Sequence, residues 1–136
     1  MKKMVISLAV SAALVVATAA SAATTKIGMI TTLSGGGSHL GIDVRDGFML
    51  ATEMANADLD VIIRDDARKP GIAQSLSNEL IQKATVDILT DIICSILAMA
   101  VLPSTVRGGT FYLSRNSCPS PLAGKACPHN SYSHRI

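Results

Sequence analysis

Four groups of residues have types and spacing suited to chemistry. The first is Ser34-Gly35-Gly36-Gly37-Ser38, followed by Leu40 and Gly41. A glycine turn between a strand and a helix leaves backbone N–H groups and small hydroxyls open to a ligand. A dinucleotide would call for G-x-G-x-x-G, but Gly35 to Gly41 reads one residue too long. The second group is Asp65-Asp66, at the end of a β-rich run. Two acids on one loop are too few for a calcium cage, and they are expected to face water or meet Arg68 and Lys69. The third, Ser34 or Ser95 with His39 and Asp43, has the composition of a hydrolase triad. No G-x-S-x-G elbow surrounds either serine. The fourth is Cys118, Cys127, His129 and His134. Eight residues separate the two cysteines, where structural zinc sites use about two to four. A Cys118–Cys127 disulfide or free thiols are the simpler expectation in an oxidising compartment. With Cys94 the count is three, so at least one thiol is free or intermolecular. No metal, no cofactor and no catalytic residue is expected.

The compartment follows from the first residues. Met1-Lys2-Lys3 is a positive n-region, Met4 to Ala17 is almost wholly apolar, and Ala20-Ser21-Ala22 is a small-x-small cleavage site. This is the pattern of a cleaved secretory signal over residues 1–22, since the apolar run is short of the roughly 20 residues a spanning helix needs. A periplasmic location is expected. Removing Lys2 and Lys3 takes the formal charge from +2 to zero. With no basic stripe, no Trp, two Tyr and two Phe, a nucleic-acid partner is not expected.

The remaining chain supplies alternating elements. Ile27, Met29 and Ile30 give a first strand, which the glycine turn ends. After Gly41, Val44, Phe48, Ala51 and Ala55 recur at helical spacing. Leu59 to Arg64 reads as a second strand, and Pro70 suits the first turn of a helix running to about Lys83. The face of that helix is set by Ile72, Ala73, Leu76, Leu80 and Ala84. Val86 to Ile93 reads as a third strand, Leu97 to Val106 as a helix, and Thr110 to Ser114 as a fourth strand. Met49, Met54 and Met99 are expected in the core. After Pro119 no apolar period remains, and 125–136 is read as an irregular tail.

Strands alternating with helices predict an α/β fold: a three-layer sandwich with a mostly parallel sheet and right-handed crossovers. The expected strand order is 2-1-3-4. Its switch point lies between strands 1 and 3, where ligands bind outside the carboxyl ends. Ser34 to Leu40, Cys94-Ser95-Ile96 and Ser114 to Ser120 would converge there.

A cleaved signal, KIGMITTLSG, RDGFMLA with EMAN, Asp65-Asp66, the Pro70 helix, VDIL with Ile92, Ile93 and Ser95, and FYLS resemble the type 1 periplasmic binding proteins. The closest look is to their leucine/isoleucine/valine group, the solute receptors of ABC importers. The resemblance spans about Lys26 to Gly124. It covers the front part of the first of the family's two lobes, so a truncated lobe over residues 23–124 is expected. The implied partners are a small solute, an amino acid or similar carboxylate, and an ABC permease in the inner membrane. By position, the resemblance makes Ser95 a carboxylate donor beside backbone donors at Ser34 and Gly35. It sets Asn116 and Cys118 where a backbone carbonyl and a hydroxyl are usual, and Leu40 where an aromatic contact is common. Asp91, Arg115 and Cys118 depart from the pattern, which prefers glycine, proline and a threonine-like residue there. The competing expectation is a fragment of such a receptor that binds nothing; an exported α/β enzyme is a third and weaker one.

Overall fold

The computed structural model describes residues 24–90, 92–114 and 131–133. The elements are β1 (Thr25–Thr31), α1 (Ser38–Met54), β2 (Leu59–Asp65), α2 (Pro70–Gln82), β3 (Ile88–Thr90), α3 (Ser95–Gly108), β4 (Phe111–Ser114) and β5 (Ser131–Ser133). Every paired strand is parallel and the sheet order is β2-β1-β3-β4-β5. The expected order of the first four strands holds. β5 corrects the reading of an irregular tail over three residues: Ser131–Ser133 extend the sheet at its β4 edge, with Leu113 opposite Tyr132. The alternation Ser-Tyr-Ser carries no apolar period, so backbone pairing on an open edge, not side-chain pattern, places this strand. The expected signal lies outside the described residues. No described helix is long and apolar enough to cross a membrane.

Right-handed crossovers place α1 on one face of the sheet and α2 and α3 on the other. The strand alternation agrees. A Cβ at Gly28 would touch the side chains of Leu80, Val86 and Leu89, whereas Thr31 Oγ1 lies against Gly41 of α1. The core is the α2–α3 layer. Ile30, Ala73, Leu80, Leu89, Ile92, Leu97, Val101 and Tyr112 form one buried cluster. Ser77 of α2 and Ser104 of α3, both buried, share a hydrogen bond of 2.9 Å across that helix pair.

Several element edges differ from expectation. α1 begins at Ser38, one turn before Gly41, because Gly37 takes the left-handed conformation (φ 87°) at its N-cap. The ladder of β3 is three residues long. Thr85 at φ 52° turns the chain just before it, and the Val86 N–H bonds Leu80 instead of a strand. α3 starts at Ser95 and holds Pro103 inside it, on its exposed side. The face of α2 is turned: Ser77 is buried with Ala73 and Leu80, while Ile72 is 38% exposed. The methionines are not core. Met49, Met54 and Met99 are 41%, 80% and 40% exposed. α1 meets the sheet mainly over β1, and Gly41 is its one fully buried residue, so its apolar positions find little to pack against.

Candidate functional site

Parallel strands deliver their C-terminal ends to one rim, and the loops after β1, β2 and β3 emerge there together. The β1–α1 loop turns on Gly35 (φ 75°) and Gly37 (φ 87°), conformations open to glycine at little cost. Ser38 N–H bonds the Gly35 carbonyl and Leu40 N–H bonds the Gly37 carbonyl, which closes the loop onto the first turn of α1. The N–H groups of Gly35, Gly36 and Gly37 make no hydrogen bond to the described residues.

Beside it, the two aspartates build a scaffold. Asp65 Oδ1 accepts the N–H groups of Leu33 (2.8 Å) and Ala67 (2.9 Å). Burial pushes its pKa up, but bonds from the Ser34 hydroxyl and from the Ala67, Leu33 and Ser34 N–H groups prevail, so it lies below the ordinary aspartate value. Asp66 is fully buried and its Oδ1 accepts the Thr32 hydroxyl (2.7 Å) and the Arg68 N–H (2.8 Å). The expected meeting with Arg68 holds for Asp66, through the Arg68 N–H, while the expectation that the acids face water is corrected for the buried Asp66. They bond backbone and hydroxyl donors, because a carboxylate at a strand end can satisfy the N–H groups that the ladder leaves unpaired. The same bonds hold Ala67 (φ 48°) and Arg68 (φ 58°) in successive left-handed conformations, which non-glycine residues adopt at a cost.

That turn sends the Arg68 side chain across to the glycine loop. Its Nη1 donates to the Gly36 carbonyl at 3.1 Å. No described carboxylate pairs with it. On the other side Arg68 lines a cavity of about 430 Å³ together with Pro70, Cys94, Ser95, Ile96 and Leu97. Arg68 thus bridges the loop after β1 and the start of α3. Cys94 is the N-cap of α3 and gives no side-chain capping bond, so the first N–H groups of that helix are not met from within its own cap.

Ser34, Gly35 and Ser95 are all exposed on this rim. Ser34 differs in role from the others, since its hydroxyl and N–H already bond Asp65. Leu40, 47% exposed, lies in the first turn of α1 just behind the glycine loop. Asn116 and Cys118 lie outside the described residues, as do Asp91, Arg115, Cys127, His129 and His134. His39 and Asp43 are exposed on α1. No cluster of three possible metal ligands occurs among the described residues. Arg68 is the residue that sequence reasoning passed over. Only its place two residues before Pro70 hinted at the rim, because its direction depends on the left-handed turn. The arrangement presents donors and a guanidinium, which suits gripping an anion.

A doubly wound parallel sheet with helices on both faces and donors on its carboxyl rim defines one lobe of a type 1 solute-binding fold. The sequence matches the family described as periplasmic binding protein over residues 24–135, and the chain belongs to that family, whose members bind solutes and are not enzymes. Comparison with curated proteins gives no match. Among solved structures, the chain is similar to the branched-chain amino acid transporter substrate-binding protein LivJ of Streptococcus pneumoniae, in complex with isoleucine. The TM-score is 0.74 at 19% identity, covering 81% of this chain and 33% of that one. It is similar to an R. palustris solute-binding protein in complex with benzoate, with a TM-score of 0.76 at 23% identity, covering 81% and 32%. A leucine-binding protein LivK of Thermotoga maritima gives 0.73 at 18%, covering 80% and 32%. The chain spans about a third of the length of these structures.

Proposed function

We propose that this chain is the exported solute-binding component of an ABC importer, taking a branched-chain amino acid or a related small carboxylate. One observation supports this most: the glycine loop, Arg68 and Ser95 meet on one rim of a family fold and offer donors to an anion. Ser95 and the N–H groups at Gly35 would bond the carboxylate, in charge-assisted bonds of the stronger kind. Ser34 would hold the loop in place through Asp65, and Leu40 would border the solute. Asn116 and Cys118 are proposed to complete the site from the loop after β4. The signal over residues 1–22 would deliver the protein to the periplasm, and the permease would receive the solute.

The test is calorimetry of the purified full chain against leucine, valine and benzoate, repeated with Ser95→Ala. Binding of any of these that weakens about tenfold or more in the variant supports the reading. No heat with any of them removes it. Affinity should be modest, because one rim buries less of a ligand than an enclosed pocket does. A second reading is a lobe that binds no solute. It is favoured by the exposure of Leu50 (58%), Met54 (80%) and Ile96 (72%), apolar side chains that a fully packed receptor would cover.

A further inference from the structure

Among the described strands, β2 pairs only with β1 and stands at one end of the sheet. The Asp66 N–H bonds the Thr31 carbonyl, and this fixes the phase of the ladder. The backbone groups of Asp60, Ile62 and Arg64 point at β1, and those of Val61 and Ile63 point away from it. The outward Ile63 carbonyl accepts a bond of 3.1 Å from Nη1 of its own neighbour, Arg64. A row of outward N–H and C=O groups is a template for another strand. The side chains add a charge pattern to it. Asp60, Ile62 and Arg64 alternate onto the face that α2 covers: Ile62 packs against the buried cluster, and Arg64 Nη2 reaches Glu79 Oε1 at 3.3 Å. Asp60 is exposed and pairs with no described cation. Asp60 and Arg64 therefore stand two residues either side of Ile62, on one face of an open edge.

We propose that the β2 edge is a docking surface for a second copy of this chain, the two strands pairing antiparallel about a two-fold axis at Ile62. In this register Val61 of each copy meets Ile63 of the other. These are the residues whose backbone groups point outward, and each such pair exchanges two N–H···O bonds. Asp60 of each copy then lies opposite Arg64 of the other, as a non-hydrogen-bonded pair with Cα atoms about 4.5 Å apart, the spacing that brings side chains closest. Other registers lose this match. Centring on Asp60 or on Arg64 sets like charges opposite one another, and centring on Val61 or on Ile63 sets Asp60 or Arg64 against Ile62. A guanidinium has five N–H groups, so Arg64 can keep Glu79 while it takes the second copy's carboxylate. The contact is self-complementary and closes at two copies. It leaves the two carboxyl rims at opposite ends of the joined sheet, so the inference does not depend on the solute. The interface is narrow, and a weak dimer is expected.

Sedimentation velocity of the purified full chain over a concentration series should show a monomer giving way to a dimer, with less dimer at high salt. Asp60→Arg and Arg64→Asp each turn both cross-strand pairs repulsive, and each should raise the dissociation constant by about tenfold or more. Mixing the two variants sets arginine against aspartate at both pairs again and should restore a dimer made of one copy of each. Circular dichroism and melting temperature check the fold of both, and Asp60→Arg alone decides if Arg64→Asp unfolds. A chain that stays monomeric at every concentration overturns the inference. So does a dimer that neither variant weakens, a mixture of folded variants that stays apart, or growth beyond two copies. A failed solute titration leaves this test untouched.

Discussion

Replacing Gly41 by alanine separates two effects that a glycine in a helix can have. In an open helix position, alanine is favoured over glycine by about 0.5–1 kcal/mol, because glycine loses more backbone entropy on folding. Gly47, six residues on in α1, is such a position: a Cβ there would meet nothing within 4 Å. At Gly41 a Cβ would overlap the Thr32 carbonyl oxygen and sit 2.7 Å from its carbon and 3.0 Å from Thr31 Oγ1. Ordinary carbon–carbon contact is about 3.5–4.0 Å, so α1 must withdraw by about 1 Å. Overpacking of this kind costs about 1–3 kcal/mol, against which the helix gain is smaller, leaving a net loss of about 1–2 kcal/mol. For a domain of this size that lowers the melting temperature by roughly 3–10 °C. Gly47→Ala should raise it by a few degrees. Thermal melts by circular dichroism read both. Because α1 begins at the glycine loop, Gly41→Ala should also shift the amide resonances of Gly35, Gly36 and Gly37, whereas Gly47→Ala should not. A Gly41→Ala chain that melts at or above the parent temperature would refute the claim that this glycine exists for close approach.

Two further outcomes follow from the aspartate pair. Asp66→Ala strips the Thr32 hydroxyl and the Arg68 N–H of their buried acceptor and should cost about 2–4 kcal/mol, with urea unfolding as the measure; a loss under about 0.5 kcal/mol would show that these bonds do not hold the loop. The pKa of Asp65 is lowered in the folded state, so its contribution is complete above its unfolded value and is lost as pH falls through its folded value. Melting temperature should therefore fall on acidification below about pH 4, and Asp65→Asn should flatten that part of the curve; parallel curves for the two proteins would show that the carboxylate is not held.

Much of the architecture could be read before the fold was seen, and each success has a local cause. Pro70 marked the start of α2 because its ring presets a helical φ and its missing N–H has no partner to lose there. The short apolar runs at β1 and β2 and the helical spacing between them were enough for the strand order. What failed were inferences about neighbours. The spacing of Val44, Phe48, Ala51 and Ala55 signalled a helix, but whether Met49 and Met54 on it are covered depends on what lies beyond them, and α1 touches little besides β1. Ser77 lies buried in α2 because Ser104 stands opposite it, since a buried hydroxyl is tolerated where a second one can bond it.

The candidate site divides in the same way. That Ser95 and the glycine loop stand at the carboxyl rim was legible in the sequence, because strand–turn–helix patterning fixes which residues lie there. Arg68 was not, because its side chain reaches Gly36 only through two left-handed residues that Asp65 and Asp66 hold in place. The amino-acid sequence by itself determined the order of strands and helices, the hand of their connections and which loops share a rim, since periodicity and chirality act within a few residues. The tertiary structure alone decided that the two acids are braces, that the Arg68 side chain lines the cavity, and which described apolar faces stay open. Those depend on contacts between residues distant along the chain, which no local pattern records.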